Sequence, residues 1–369
     1  MVSVARRNLF REKPRLLISM GGLAFSLLLI LALDGLVAGS LAQLTAYIRN
    51  TGADVYVAQP GVRTMHMSAS ALPISKVEEV RRVEGVARVE PILYASNAVA
   101  VGDNRSIAYV IGFDPRESKS GPWRVKGGSA DLGRGEAVVD GATAGKLGVE
   151  LGDDVLILGA TFRVRGLSVE TSNFVNSLAF IRLDDFAALR GQSDTASYLL
   201  VWLVEGLSAE EGARRINAVV DDVGALTSTE FASEEGRVVR DMSAEIMVIM
   251  SAIGFLIGLA AVGLTVYTAT LAKLQEYGML KALGASNTWL YRVVFEQALW
   301  SVAIGVAASI ALAFVLSALF AVVVPDVPIR LELESVTKVI LGAAAIAIFA
   351  ASVPITQIAR LDPVAVFRR

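Results

Sequence analysis

The sequence of 369 residues contains no cysteine and a single histidine, His66. These absences exclude disulfide scaffolds, cysteine-ligated zinc sites, haem-thiolate centres and thiol nucleophiles. Charged residues are also scarce, at 19% of the chain, whereas apolar residues reach 54% and the mean hydropathy is +0.56. Soluble globular proteins carry about 25% charged residues. The composition therefore indicates a membrane protein, and the net charge of −2 gives no support to nucleic-acid binding.

Four long apolar runs cause the shortage of charge, and they predict transmembrane helices over residues 16–40, 241–272, 293–324 and 336–358. The predicted fold class is an α-helical membrane protein of four transmembrane helices. A large extracytoplasmic α+β domain, residues 41–240, is inserted between helices 1 and 2. A cleaved signal peptide is the alternative for the first run. Its uncharged stretch of eighteen residues, 16–33, exceeds the usual apolar segment of about 7–15 in such peptides.

The distribution of basic residues predicts which segments face the cytoplasm. Residues 1–15, predicted as an amphipathic helix on the cytoplasmic surface, carry a net charge of +4, and residues 271–292 and the tail 359–369 each carry +2. Residues 41–240 carry −5, and the outer loop 325–335 carries −2. Basic flanks stay on the cytoplasmic side of a membrane. We therefore expect a multi-pass protein of the cell membrane with both termini in the cytoplasm and residues 41–240 outside.

The outside domain is predicted to consist of two α+β lobes, divided near residues 115–135. Strand signals occur at 54–57, 86–89, 98–101 and 107–112 in the first lobe, and at 136–139, 154–158, 162–169, 179–181 and 198–204 in the second. Helix signals occur at 74–83, with Ser75 as the expected N-cap, at 141–147 and at 209–220. His66 has no serine and aspartate pattern around it, so we expect a surface or structural role.

The sequence GATAGKL at residues 141–147 has a superficial likeness to a phosphate-binding loop. Such a loop needs four residues between its glycines and Ser or Thr after the lysine. Here three residues separate Gly141 from Gly145, and Leu147 follows Lys146. The chain has no nucleotide-binding motif, so any ATP must be bound by another subunit. We predict no catalytic or metal-binding residue and no cofactor bound by this chain.

Two glycine pairs lie within the apolar runs at a spacing of four residues. They are Gly35 with Gly39, and Gly254 with Gly258. This spacing permits close approach of two membrane helices, so both pairs are predicted as helix-packing or dimer contacts. Glycine is also common in membrane helices in general, which is the alternative explanation.

The most informative stretch lies between the second and third apolar runs and reads KLQEYGMLKALGAS over residues 273–286. Together with the four-span layout it resembles ABC transporter permeases of the FtsX/MacB superfamily. The sequence of this motif is most similar to that of the DevC-like heterocyst-exporter branch. Residues 7–15 and 362–368 resemble the amino- and carboxyl-terminal segments of that family. Residues 136–140 and 147–153 resemble the second lobe of its outer domain.

The resemblance implies that residues 273–292 form a coupling segment that docks on an ATPase. The implied coupling residues are Glu276, Tyr277, Gly278, Lys281, Gly284, Ala285 and Ser286. Gly284 would supply the sharp turn and Ser286 the N-cap of the coupling helix. An ordinary basic loop between spans is the alternative.

The family also implies partners: a dimer of ABC ATPase subunits that holds ATP and Mg²⁺, a second copy or related permease, membrane lipid, and a periplasmic adaptor or extracellular partner. The implied function is a non-catalytic permease subunit of the mechanotransmission type that exports or extracts an amphipathic or hydrophobic substrate. The alternative is a regulator that moves no substrate and relays ATPase motion to a cell-wall hydrolase.

Overall fold

The computed structural model describes residues 13–116, 119–172, 177–324 and 327–359. The chain divides into two compact units. The first is formed by the segments before and after residues 40–240, and the second is Ser40–Arg240. Residues 1–12 and 360–369 lie outside the described residues. Residues 1–12 of the predicted amphipathic helix 1–15 and almost all of the predicted cytoplasmic tail fall there, and residues 13–15 belong to the first long helix.

The first unit is built from helices. Among the described residues, four helices are long and apolar enough to cross a membrane. They are α1 (Lys13–Leu44), α7 (Ser228–Ala272), α9 (Asn287–Val323) and α10 (Leu333–Ala359), and the short helix α8 (Leu274–Ala282) lies between α7 and α9. The helices are longer than the apolar runs because hydropathy detects only the uncharged part of each one. For α9 the difference is six residues, since the helix begins at Asn287 instead of 293.

The four long helices share an apolar core. Its fully buried members include Leu23, Leu27 and Leu31 of α1 and Val262 and Val266 of α7, together with Val294 and Val302 of α9 and Ala343 and Ala347 of α10. Two polar side chains are satisfied inside the unit. The Ser26 hydroxyl donates to the carbonyl of Gly254, and the Ser317 hydroxyl donates to the carbonyl of Ile329 at 2.7 Å. Such bonds remove the cost of polar groups in an apolar environment.

The second unit, Ser40–Arg240, is an α+β domain. Its strands are β1 (Val55–Ala58), β2 (Leu72–Pro73), β3 (Val86–Val101), β4 (Asn104–Phe113), β5 (Val125–Gly128), β6 (Glu136–Asp140), β7 (Asp154–Ile157), β8 (Ala160–Ser168), β9 (Ser177–Arg182), β10 (Thr195–Ala196), β11 (Tyr198–Leu203) and β12 (Gly224–Thr227). Its shorter helices are α2 (Ala46–Asn50), α3 (Lys76–Arg81), α4 (Gly141–Leu147), α5 (Leu183–Arg190) and α6 (Ala209–Val219).

Ten of these strands form one continuous sheet with the order β12-β1-β11-β3-β4-β9-β6-β8-β5, in which β7 pairs with β3 and β8; β2 and β10 pair with each other in a separate two-stranded sheet. The long strand β3 joins two halves of this sheet. Its residues 86–92 pair with β11, and its residues 93–101 pair with β4. The predicted division near 115–135 is therefore wrong. The chain enters the second half of the sheet along β3 and returns to the first half at β11.

Most of the other differences from prediction arise at residues with poor strand or cap propensity. Strand β3 was predicted as two strands because Pro91, Ser96 and Asn97 lie in its centre, and these residue types usually mark turns. Strands β5 and β12 and helix α5 were not predicted. Ser75 precedes α3, but its side chain makes no cap hydrogen bond. Helix α4 has the predicted bounds, and Asp140 caps it by accepting from the amides of Ala142 and Thr143.

Candidate functional site

The segment between α7 and α9 contains helix α8 and a tight turn. Helix α8 begins after Lys273, whose φ of −111° and ψ of 13° break the path of α7. Glu276 lies in its first turn and Lys281 in its last turn, the arrangement that the helix dipole favours. The Lys273 ammonium binds the Glu276 carboxylate at 3.0 Å. The segment is thus an ordered helix.

The carboxyl end of α8 is closed by a glycine turn of the Schellman type. The Gly284 amide donates to the Lys281 carbonyl at 3.1 Å, and the Ala285 amide donates to the Leu280 carbonyl at 2.9 Å. Gly284 has a φ of +98°, a conformation that residues with a side chain rarely adopt. Gly284 therefore supplies the sharp turn expected from the sequence.

Ser286 has a different role from the one expected. Its hydroxyl accepts from the Trp289 amide at 3.3 Å, and its φ of −71° and ψ of 150° are those of an N-cap. The helix that it caps is α9, and not the coupling helix α8. The physical reason is that α8 has already ended before Gly284, so Ser286 stands at the start of the next helix.

Helix α8 has one buried face and one exposed face. Tyr277, with only 2% of its surface exposed, joins the apolar core that includes Leu290 of α9 and Ile358 of α10. Gly278 is also buried. These two predicted coupling residues therefore hold α8 against the bundle and offer no surface to a partner subunit. The burial of Tyr277 is what fixes the orientation of α8.

The exposed face of α8 contains residues that the sequence interpretation missed. Met279 is 47% exposed, Leu283 85% exposed and Trp289, at the start of α9, 40% exposed. Glu276 lies on the same face as Met279 and Leu283, because these residues follow each other at spacings of three and four. The sequence feature that could have predicted this exposed face is the helical spacing of Met279 and Leu283 after Glu276. An exposed apolar face beside a carboxylate is suited to contact with another protein.

Lys281 lies between the two faces. It is half-buried, and its ammonium lies 3.5 Å from the Ala359 carbonyl at the carboxyl end of α10. Helix carboxyl ends carry partial negative charge, which favours a cation at this place. Lys281 therefore connects α8 to α10, while Ala285 and Ser286 lie in the turn beyond it.

The glycine pair of α1, Gly35 and Gly39, packs within the first, helical unit. The Arg330 amide donates to the Gly35 carbonyl at 2.9 Å. A Cβ atom at Gly39 would lie 2.1 Å from the carbonyl oxygen of Pro328, a distance that no real Cβ atom shows. The absence of a side chain at Gly39 therefore lets the segment before α10 lie directly on α1.

The glycine pair of α7 also packs within one chain. A Cβ atom at Gly254 would lie 2.8 Å from Ile30 Cδ1, and one at Gly258 would lie 2.9 Å from both Leu23 Cδ1 and Ile346 Cδ1. We therefore assign all four glycines to packing inside the helical unit. A role for them at a dimer contact has no support in these distances.

Two family descriptions match this sequence. The MacB-like periplasmic core domain matches residues 16–219, which is more than half of the chain, and the FtsX-like permease C-terminal region matches residues 248–363. The chain belongs to the MacB/FtsX-like family of ABC transporter permeases. The second match covers α8, its turn and the two helices that follow.

Individual relatives of this permease agree with the family. An uncharacterized ABC transporter permease of Mycobacterium tuberculosis H37Rv is 24% identical over 375 residues, covering 100% of this chain and 99% of the relative. A second such permease of the same strain is 22% identical over 286 residues, or 77% of each chain.

Among solved structures, the periplasmic region of MacB from Actinobacillus actinomycetemcomitans covers 50% of this permease with a TM-score of 0.39 and 15% identity, and 94% of that region is matched. The extracellular domain of the noncanonic ABC-type transporter YknZ from Gram-positive bacteria covers 47% with a TM-score of 0.36 and 14% identity, and all of that domain is matched.

Family membership settles the general role of this chain. It is a permease subunit of an ABC transporter, and its described residues include four apolar helices long enough to span a membrane, with an α+β domain between the first two. The family implies a partner ATPase. The finer assignment to the DevC-like branch stays a prediction, as do the subunit composition and the direction in which the termini face.

Proposed function

We propose that this permease works by mechanotransmission, with α8 as the element that docks on the ATPase. ATP and its Mg²⁺ are held by a dimer of separate ATPase subunits, and two permease chains, identical or related, stand above them. Closure of the ATPases pushes α8, and the long helices relay that movement to the outer domains. The observation that carries the proposal is the division of α8 into a face buried against the bundle at Tyr277 and an exposed face at Leu283.

This division is what a coupling element requires. A helix that transmits force must be attached firmly on one side and offer a contact surface on the other. Tyr277 and Gly278 provide the attachment, and Glu276, Met279 and Leu283 provide the surface. The positive charge of residues 271–292 supports a cytoplasmic position for this surface, where the ATPase lies. Both termini then lie in the cytoplasm and residues 41–240 lie outside.

The substrate that we propose is an amphipathic or hydrophobic compound taken from the outer leaflet or from the outside compartment and exported. The outer domain of about 200 residues is large enough to contact such a compound or a periplasmic adaptor. The alternative is a regulator that relays ATPase motion to a cell-wall hydrolase. Co-purification from the native membrane separates the two, because an adaptor among the partners supports export and a hydrolase supports regulation.

The docking proposal is tested by reversing the charge of the exposed face. We expect Glu276→Lys to weaken binding of the partner ATPase about tenfold and to lower ATP hydrolysis by the reconstituted complex, since the change reverses the charge of the exposed face. The matched control is Glu150→Lys, the same change at an exposed position of the outer domain. Equal binding and hydrolysis by the two variants would contradict the docking role of α8.

A further inference from the structure

The only histidine of the chain is half-buried and pairs with a buried carboxylate of α7. The His66 Nδ1 atom lies 2.6 Å from Oε1 of Glu235, and the Met65 amide donates to Oε2 of the same carboxylate at 2.5 Å. Glu235 is only 2% exposed. Both oxygens of this buried carboxylate are therefore bound by one loop, residues 62–68, which we call the junction loop.

The junction loop is also fastened to the sheet. The Tyr198 hydroxyl of β11 lies within donating distance of two loop carbonyls, 3.1 Å from that of Thr64 and 3.2 Å from that of Ser68. Burial raises the pKa of Tyr198 above its usual value, with a smaller contribution from the charge of Glu235. The hydroxyl thus remains a donor. The His66 ring packs edge-on against Tyr109 of β4, with ring centres 4.3 Å apart.

Helix α7 presents one face to this domain. Phe231, Ala232 and Glu235 are all buried, and their spacing places them on the same side of the helix. Phe231 stacks on Tyr56 of β1 with a centre distance of 5.0 Å and an interplanar angle of 7°. Apolar packing is not directional, so it resists separation better than sliding along the helix axis. Hydrogen bonds are directional, so the two bonds of Glu235 oppose sliding, as do the bond from the Ser228 amide to the Asp54 carbonyl at 2.9 Å and the direct join of α7 to β12.

The outer end of α1 meets the same loop. Gln43 and Leu44, the last residues of α1, line a small cavity together with His66 and Trp123. The cavity holds about 20 Å³, room for one water molecule. Gln43 Oε1 and Trp123 Nε1 are buried and have no hydrogen-bond partner among the described residues. Helices α1 and α7, which contain the first and second membrane spans, therefore both end beside the junction loop.

We propose that the junction loop carries axial movement of α7 to β11 and β4, beside the direct join of α7 to β12, and that Glu235 is the positioning residue that connects the loop to α7. This inference rests on the proposed mechanotransmission. Movement of α7 carries the Glu235 carboxylate, which pulls Met65 and His66. The loop then moves Tyr198 and Tyr109, and with them β11 and β4. Without the pair, α7 still moves β12, to which it is joined at Thr227–Ser228, but the junction loop no longer follows α7.

The test uses the full permease with its ATPase in lipid nanodiscs and measures hydrogen–deuterium exchange with and without ATP and vanadate. In the unmodified complex we expect nucleotide trapping to change exchange in residues 62–68 and 104–113. In Glu235→Ala these changes should be lost, whereas ATPase binding and ATP hydrolysis persist. The matched control is Glu245→Ala, the same change at an exposed position of α7 that does not contact the junction loop.

A second variant separates transmission from simple loss of stability. The chain has no native cysteine, so His66→Cys with Glu235→Cys can be joined by a short bis-methanethiosulfonate reagent. We expect the crosslinked protein to regain the nucleotide-dependent exchange changes and to lose them again on reduction.

The inference is overturned if nucleotide trapping changes hydrogen–deuterium exchange in Glu235→Ala as much as in the unmodified complex. It is also overturned if the crosslinked and reduced forms of the double-cysteine variant show equal exchange changes. An unmodified complex that hydrolyses ATP without any change in residues 62–68 overturns it as well. If the unmodified chain neither binds nor stimulates an ATPase, the proposed function itself fails, and that result is read independently of the exchange data.

Discussion

Replacing Gly284 with alanine would add one methyl group at a backbone position with a φ of +98°. A Cβ atom there would have no heavy-atom neighbour within 4 Å, so no clash contributes to the cost. The whole penalty comes from the left-handed backbone, which costs a residue with a side chain about 1–2 kcal/mol. That free energy lowers the population of the native turn relative to alternatives by about 5–30-fold. The turn sets the angle between α8 and the following helix α9, so docking of α8 on the ATPase should weaken by a similar factor.

The assay is the dissociation constant of the partner ATPase for the purified permease, together with ATP hydrolysis by the complex. We expect Gly284→Ala to weaken binding by about 5–30-fold and Gly284→Asn to weaken it less, since asparagine tolerates the left-handed conformation better. The matched control is Gly342→Ala in α10, where a Cβ atom also has no neighbour within 4 Å and the backbone is helical. This control should bind normally and gain about 0.5–1 kcal/mol of stability. Normal binding and hydrolysis by Gly284→Ala would refute the reasoning.

Three further predictions concern topology, packing and the docking face. Cysteines introduced singly at Ser193 and Ser286 should differ in intact cells, with an impermeant maleimide labelling position 193 only; labelling at position 286 would reverse the proposed orientation. Gly39→Ala should destabilise the detergent-solubilised protein by about 1–3 kcal/mol, because its Cβ atom would overlap the Pro328 carbonyl, whereas Gly21→Ala, with no neighbour within 4 Å, should unfold like the parent. Leu283→Asp should weaken ATPase binding about tenfold without altering membrane insertion; unchanged binding would remove Leu283 from the docking face.

The membrane part of the fold was predictable because its signal is local. An apolar run of sufficient length has few alternatives to a membrane helix, since every backbone polar group must be satisfied within it. The turn at Gly284 was predictable for a similar reason, because a glycine after a helical segment usually marks a left-handed terminus. The bounds were less accurate. Polar residues continue the helix at the start of α9, where the Ser286 cap and not hydropathy decides the first residue.

The division of the outer domain was not predictable, because it depends on pairing between distant segments. Strand β3 contains Pro91 and Asn97, which suggest a break. It stays extended because β11 binds its first half and β4 binds its second half. Strand β4 follows directly after a two-residue turn, but β11 lies about a hundred residues away, so local propensity carries no information about the pairing that keeps the first half of β3 extended. The pair of His66 with Glu235, separated by 169 positions, was hidden for the same reason.

The burial of Tyr277 was equally hidden, and it changes the interpretation of the coupling motif. Sequence resemblance groups Glu276, Tyr277 and Gly278 as neighbours with one role, but consecutive residues on a helix face different directions. Tyr277 points into the core with Leu290 and Ile358, whereas Glu276 remains exposed. Because α8 is held by Tyr277 on one side and by the Lys281 contact with Ala359 on another, it has little freedom to move alone. In the proposed mechanism, a force applied at Leu283 therefore displaces α9 and α10 together with α8, and the proposed transmission begins with the helical unit as a whole.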